Sequence, residues 1–315
     1  MIQMTKTRTS LKKRFANNII ILLTLFAMIF TGYSYITRII GADSYNYGYA
    51  VSAVSNTAPL RIPVLAYHSI LSQEYYYPIN TENPWIMSED LFRKHMQYLH
   101  DNNFTPITSR QLIKFLYCNC RDHCAACLCD CVRMPENPVL ITFDDGYLDN
   151  ALFAAPILRE FGFTAMLFVI TDRLADEQQA MAAHPIPWMS EIDMRMNFDV
   201  FEIGSHTHNL HNFIGSQAAL AVESRENIRA DLRRSFEFPL NMRQGFAYPF
   251  GIVSDNAIAA LRDEGVRFAF TTYWGYITEE SDPFRLPRFN ITSSPTCSWN
   301  DIEFFSSIVR GTLDF

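Results

Sequence analysis

The stretch PVLITFDDG (138–146) decides how this chain is read. Residues 139–143 form an apolar run that is continuous rather than alternating, the pattern of a parallel strand covered on both faces. The run stops at Asp144, Asp145 and Gly146. Two adjacent carboxylates at the end of a buried strand are costly unless something neutralises them. Successive strand side chains point to opposite faces, so the chain must turn here for both carboxylates to reach one cavity. Gly146 permits that turn, because it takes φ > 0 without a steric penalty. A cation would offset the charge, hold one carboxylate as a ligand and keep the other ionised as a base. The residues by themselves also fit a surface turn, since Asp-Gly is a turn pair.

Outward from this stretch, similar short runs recur: IPVLAYHSI (62–70), TAMLFVI (164–170), VFEIGSH (200–206), GFAYPFG (245–251), RFAFTTY (267–273) and RLPRFNI (285–291). Helix patterns lie between them. Ser88 is placed to cap a helix through about His100, and Ser254 one that ends at Gly265. Residues 216–236 have a helical pattern with many charges on one side. Seven strands alternating with helices predict an α/β chain, a distorted (β/α) barrel of about seven parallel strands. Chemistry in such barrels gathers at the C-terminal strand ends. His68, Asp144, Asp145 and His206 fall at those ends.

The second chemical cluster is GSHTHNLH (204–211), with three imidazoles in six residues. Two histidines and one carboxylate with an open position make a hydrolytic metal site. The pair that ligates is open on spacing alone. His206 and His208 would share a face if the strand continued, whereas His206 and His211 need a loop.

The 315-residue chain is 49% apolar with net charge −7, which suits one large globular domain and excludes a nucleic-acid partner. Its basic residues cluster at the N-terminus, where Lys6, Arg8, Lys12, Lys13 and Arg14 precede an uncharged run over residues 15–37. This is the layout of a signal anchor or signal peptide, with residues 1–43 forming a cytoplasmic basic stub and the apolar segment. Residues 44–60 read as a linker, and 61–315 as the folded domain, extracytoplasmic and either membrane-anchored or secreted. A Cys-rich insertion occupies 118–131, with Cys118, Cys120, Cys124, Cys127, Cys129 and Cys131. In an exported domain such cysteines form disulfides by default; a metal cluster and free thiols are the other uses.

TFDDG (142–146), EIGSHTHNLH (202–211) and FAYPFG (246–251), with the opening IPVLAYHSI strand, together resemble the NodB-type polysaccharide deacetylases. The resemblance covers about residues 61–291 and is nearest to the poly-N-acetylglucosamine deacetylase branch. It implies that Asp144 is the catalytic base and that Asp145, His206 and His211 bind one divalent metal. The five-residue histidine spacing of that branch selects His211 over His208. Zinc (Zn2+) suits two imidazoles and one carboxylate, while nickel, cobalt and iron also fit. The backbone N–H of Phe250 matches the family's oxyanion donor. The implied function is metal-dependent hydrolysis of N-acetyl or O-acetyl groups on a cell-surface polysaccharide, an N-acetylglucosamine polymer.

Two positions depart from the family pattern. The Arg that contacts the base in the third motif is Ala247 here, and no histidine follows His211 to act as general acid. Arg288 is the candidate substitute for the first, although a lone Arg ordinarily makes a surface ion pair. His68 is the candidate for the second, although a buried histidine satisfied by hydrogen bonds is equally common. These departures motivate the alternative function, a carbohydrate-binding relative with reduced catalysis. Trp85, Trp188, Trp274 and the tyrosines at 75–77 are candidate sugar-stacking platforms.

Overall fold

In the computed structural model, residues 59–72, 74, 83–117, 134–174, 187–238, 242–293 and 298–312 are described. The N-terminal stub, its apolar segment, nearly all of the linker, the Cys-rich insertion and residues 75–77 lie outside the described residues. Among the described residues no helix is long and apolar enough to cross a membrane.

Seven short strands carry the fold: β1 (Val64–Tyr67), β2 (Pro138–Phe143), β3 (Ala165–Val169), β4 (Phe201–Ser205), β5 (Gly245–Ala247), β6 (Phe268–Phe270) and β7 (Phe289–Asn290). They lie in the order β6-β5-β4-β3-β2-β1-β7, with every neighbouring pair parallel. The two-residue strand Thr105–Pro106 pairs in parallel with the start of β2. The sheet curls until its edges approach each other again. Leu286, just ahead of β7, donates to Ala269 O at 3.0 Å and accepts from Thr271 N–H at 2.8 Å. The result is a curled half-barrel, the distorted (β/α) barrel that the spacing of the apolar runs predicts.

Alternate residues along each strand enter different cores, which explains why the runs are continuous. Leu65, Ile141, Phe143, Leu167, Ile203 and Phe289 pack on the outer face under the helices. Val64, Leu140, Phe168, Ala247, Phe270 and Leu286 fill the inside of the curl. Each of these side chains larger than alanine, fully buried, contributes about 1.5–3 kcal/mol through area removed from water. Gly204 stands on the inner face because a Cβ there would overlap the Phe168 ring. Towards the C-terminal strand ends this inner layer turns polar. The same parity places His68 beyond β1, Asp144 beyond β2, His206 beyond β4, and Arg288 and Asn290 at β7.

The helices begin where their caps predict. In α1 (Glu89–Asp101) the Ser88 side chain accepts from Leu91 N–H, at 3.3 Å. The pattern over residues 216–236 is not one helix. It divides into a short strand Gln217–Ala218, a single turn Ala219–Val222 and then α2 (Arg225–Phe236). Ser224 ends the first helical piece and caps the second, accepting from Asn227 N–H at 3.2 Å. A cap inside the periodic stretch outweighs the periodicity, because it satisfies the first amides of a new helix. In α3 (Asp255–Asp263) Ser254 accepts from Ala257 N–H, and Gly265 follows with φ 78°.

Candidate active site

Asp144 and Asp145 reach the same cavity because the chain turns at Asp145 itself, with φ 71°, and again at Gly146, with φ 86°. A non-glycine residue at positive φ costs on the order of 1 kcal/mol or more, so the surrounding structure must hold it there. A second turn of this kind ends β4. Thr207 has φ 77°, an outlier for a β-branched side chain. That kink breaks the alternation after His206 and separates His208 from it. His208 turns away, its Nδ1 sharing a hydrogen bond with Thr171 Oγ1 at 3.0 Å and its Nε2 standing 3.6 Å from Asp172. His211 comes back instead. Its Nε2 lies 3.4 Å from Asp145 Oδ1, and the Nε2 of His206 lies 3.7 Å from the same oxygen.

The loop between the two histidines is clamped from α2. Both Asp231 carboxylate oxygens accept backbone N–H groups, from His208 at 2.8 Å and Asn209 at 2.7 Å. Arg173 donates to the backbone oxygen of His211 at 3.2 Å. His206 Nδ1 donates to the carbonyl of Ala247, at 2.7 Å, which leaves Nε2 as the free lone pair facing Asp145. Asp145, His206 and His211 thus offer ligand atoms all within 4.8 Å of one another. Asp145 Oδ1 is buried with no hydrogen-bond partner among the described residues, and burial lowers the pKa of both imidazoles to about 4. Neutral imidazoles, one carboxylate and an orphaned oxygen fit a divalent cation.

Asp144 is held differently. The Arg288 guanidinium closes on it in a fork, Nη1 to Oδ1 at 2.8 Å and Nη2 to Oδ2 at 2.7 Å. Arg288 is fully buried, and its Nε donates to Thr271 O at 3.0 Å. Burial alone would raise the Asp144 carboxyl; the Arg288 charge and its hydrogen bonds, together with the nearby His206 and His68, outweigh it and hold the group well below the usual carboxylate range. Position 247, where the family Arg is missing, supplies only its carbonyl, to His206.

Residues 132–269 match the family model described as polysaccharide deacetylase. Over these residues the chain belongs to the polysaccharide deacetylase family. It is 24% identical over 219 residues to the poly-beta-1,6-N-acetyl-D-glucosamine N-deacetylase of Staphylococcus epidermidis, an alignment that covers 66% of this chain and 68% of the relative. Its fold is similar to that of the Streptococcus pyogenes deacetylase PplD in complex with acetate, with TM-score 0.61, 22% identity, and 79% of this chain and 99% of the other covered. It is also similar to IcaB from Ammonifex degensii, with TM-score 0.62, 20% identity, and coverage of 79% and 98%.

Around the centre of this polysaccharide deacetylase family member stand residues that the motifs do not single out. Tyr147 lies beside Asp145, and burial together with the Asp145 charge pushes its phenol far up. Asp149 lies four residues after Asp145, at the start of the helical segment that follows the turn. Burial pushes its carboxyl up to about 7, against hydrogen bonds from Ser69 Oγ and Ile70 N–H. Those contacts tie the segment after His68 to the segment after the aspartate pair. His68 packs on Trp85 with ring centroids 4.5 Å apart, and it acts electrostatically on both Asp144 and His211. Its Nδ1 is buried with no hydrogen-bond partner among the described residues. Phe250 has φ 58°, which brings its ring to 4.6 Å from His211, with Phe213 beyond it at 4.5 Å. Of the tryptophans, Trp85 and Trp188 flank the site, Trp188 stacked on Tyr147 at 5.9 Å. Trp274 packs instead on Phe289 of the outer face and on Trp299.

Proposed function

We propose that this protein removes N-acetyl groups from an N-acetylglucosamine polymer of the cell surface by metal-dependent hydrolysis. The observation that carries this reading is an ionised Asp144, held by Arg288, next to the buried Asp145, His206 and His211 group. The activity of the similar Staphylococcus epidermidis N-deacetylase supports the choice of polymer. Bound to Asp145, His206 and His211, a divalent metal, best matched by zinc, supplies Lewis acidity that makes water more acidic and polarises the acetyl carbonyl.

The chain's own groups complete the chemistry. Asp144 Oδ takes a proton from the attacking water, and Arg288 holds the carboxylate in its deprotonated form. The backbone N–H of Phe250 donates to the developing oxyanion. As the C–N bond breaks, the amine takes a proton from Asp144 or from His68, and acetate leaves. A carbohydrate-binding relative would be favoured by the missing Arg at position 247; Arg288 on Asp144 removes that ground. The basic cluster before the uncharged run at 15–37 supports placement outside the cytoplasmic membrane, anchored or released.

The test joins metal analysis of the purified protein with acetate release from N-acetylglucosamine polymers. Asp144→Asn should keep the metal and lower acetate release by at least roughly a hundredfold. No acetate release from the parent protein would remove the enzyme reading. Release unaltered by the substitution would remove Asp144 as the base.

A further inference from the structure

Neither the ion pair nor the metal group uses Asn290, which follows Arg288 on the inner face of β7. Register fixes its place: Asn290 is paired with Ala66 of β1, and Ala66 with Thr142 of β2. These three residues form one row across the inside of the curl, and His68 and Asp144 stand in the next row. Phe289 and Ile291, on either side of Asn290, pack into the outer core with Leu65 and Tyr67, so the Asn290 side chain takes the opposite face. The residue is half-buried, one row from His68 and Asp144. Its Oδ1 is buried and has no hydrogen-bond partner among the described residues. An amide oxygen withdrawn from water without a donor is destabilising until a donor arrives.

What enters the cavity can supply that donor. We propose that Asn290 Oδ1 accepts a hydrogen bond from the acetamido N–H of the substrate and thereby selects N-acetyl over O-acetyl groups. This rests on the acetyl-hydrolysis reading above and specifies its substrate. The acetamido N–H is one atom from the carbonyl that Asp144 and the metal group face, and an acetyl ester has no hydrogen there. A site built to pair with a donor rejects the analogue that lacks it, because the acceptor is then left buried and unpaired. Sugar hydroxyls, by contrast, are present in both kinds of substrate and give no such discrimination.

The experiment compares acetate release from an N-acetylglucosamine oligomer with release from the matching oligomer that carries acetyl esters in place of the acetamides. In Asn290→Leu, close in size but without an acceptor, amide hydrolysis should fall roughly tenfold to a hundredfold while ester hydrolysis stays within about twofold. Asn290→Asp retains an acceptor and should recover part of the amide preference. Equal loss on both oligomers would assign Asn290 to holding His68 in place and overturn the proposal. An unchanged amide-to-ester ratio would overturn it as well. If the parent releases acetate from neither oligomer, the hydrolysis reading fails on its own. Asn290 is then judged by calorimetric binding of the same two oligomers. Loss of the N-acetyl preference in Asn290→Leu supports the contact, and an unchanged preference overturns it.

Discussion

Arg288 and Asp144 meet through two parallel hydrogen bonds, at 2.8 and 2.7 Å, across 144 positions of sequence and with neither side chain open to solvent. The pair joins the second strand of the barrel to the last. Its geometry, rather than its presence as an ion pair, sets what the carboxylate can do. Both Asp144 oxygens are engaged by one guanidinium, so the group stays charged in a place where burial alone would neutralise it.

Arg288→Met should therefore reverse the pH behaviour of Asp144. In the parent, the folded carboxyl titrates below its unfolded value. Its contribution to stability is then present above the usual carboxylate range and is lost as pH falls through that range. Without Arg288, burial dominates and the folded value rises above the unfolded one. The contribution is then present at low pH and lost as pH rises. Chemical denaturation across pH should show this change of sign, with about 3–5 kcal/mol lost at neutral pH for an uncompensated buried charge. Arg288→Lys should recover only part, because an ammonium cannot form the fork.

His211→Ala should abolish most metal binding, whereas His208→Ala should leave metal content nearly unchanged. The two histidines are three residues apart, yet His208 turns to Thr171 while the loop brings His211 back to Asp145. Metal titration of the apo-protein separates them directly. Loss of metal in the His208 variant would show that the loop rearranges when the ion binds.

Asp231→Ala should weaken the same site without touching it. Its carboxylate holds the amides of His208 and Asn209, the loop that delivers His211. Outer partners of this kind change metal affinity by roughly tenfold to a hundredfold. The expected reading is a weaker metal dissociation constant in a protein whose far-UV spectrum is unchanged.

His95 should make acid stability measurably steeper. Its ring is buried, bonded to Tyr67 Oη and Trp299 O at 3.1 Å each, and stacked on Phe305 at 4.0 Å. Burial lowers it from 6.5 to about 4. Between those values the unfolded chain binds a proton that the folded chain does not. Its contribution is thus present above pH 6.5 and lost as pH falls towards 4. Each such group removes at most about 1.4 kcal/mol per pH unit across this window. His95→Gln should flatten the decline by one proton, leaving whatever His206 and His211 add in the metal-free protein.

The strand set was legible in the primary structure because strands buried on both faces must be apolar at successive positions. Residues 138–143, 164–170 and 200–205 follow that pattern. The aspartate pair and the histidine cluster were legible for a related reason. Charged or imidazole side chains directly after such runs are costly without a ligand or partner. Helix continuity over 216–236 was misread, since a cap at Ser224 interrupts an intact hydrophobic period.

By itself, the sequence determined the α/β barrel and the order of its strands along the chain, since local pattern specifies them; local cost singled out the aspartate pair and the histidine cluster, and the choice of Asp144 as base and of Asp145, His206 and His211 as ligands came from the resemblance to the deacetylases. Tertiary structure alone decided that Arg288 holds Asp144, that Ala247 orients His206 through its carbonyl, that Asp231 clamps the ligand loop, and that Asn290 shares a row with Ala66 and Thr142. These partners are far apart in sequence and adjacent only because the sheet curls. No spacing rule links residues that meet across a barrel, for the register between strands is set by the packing of the whole core.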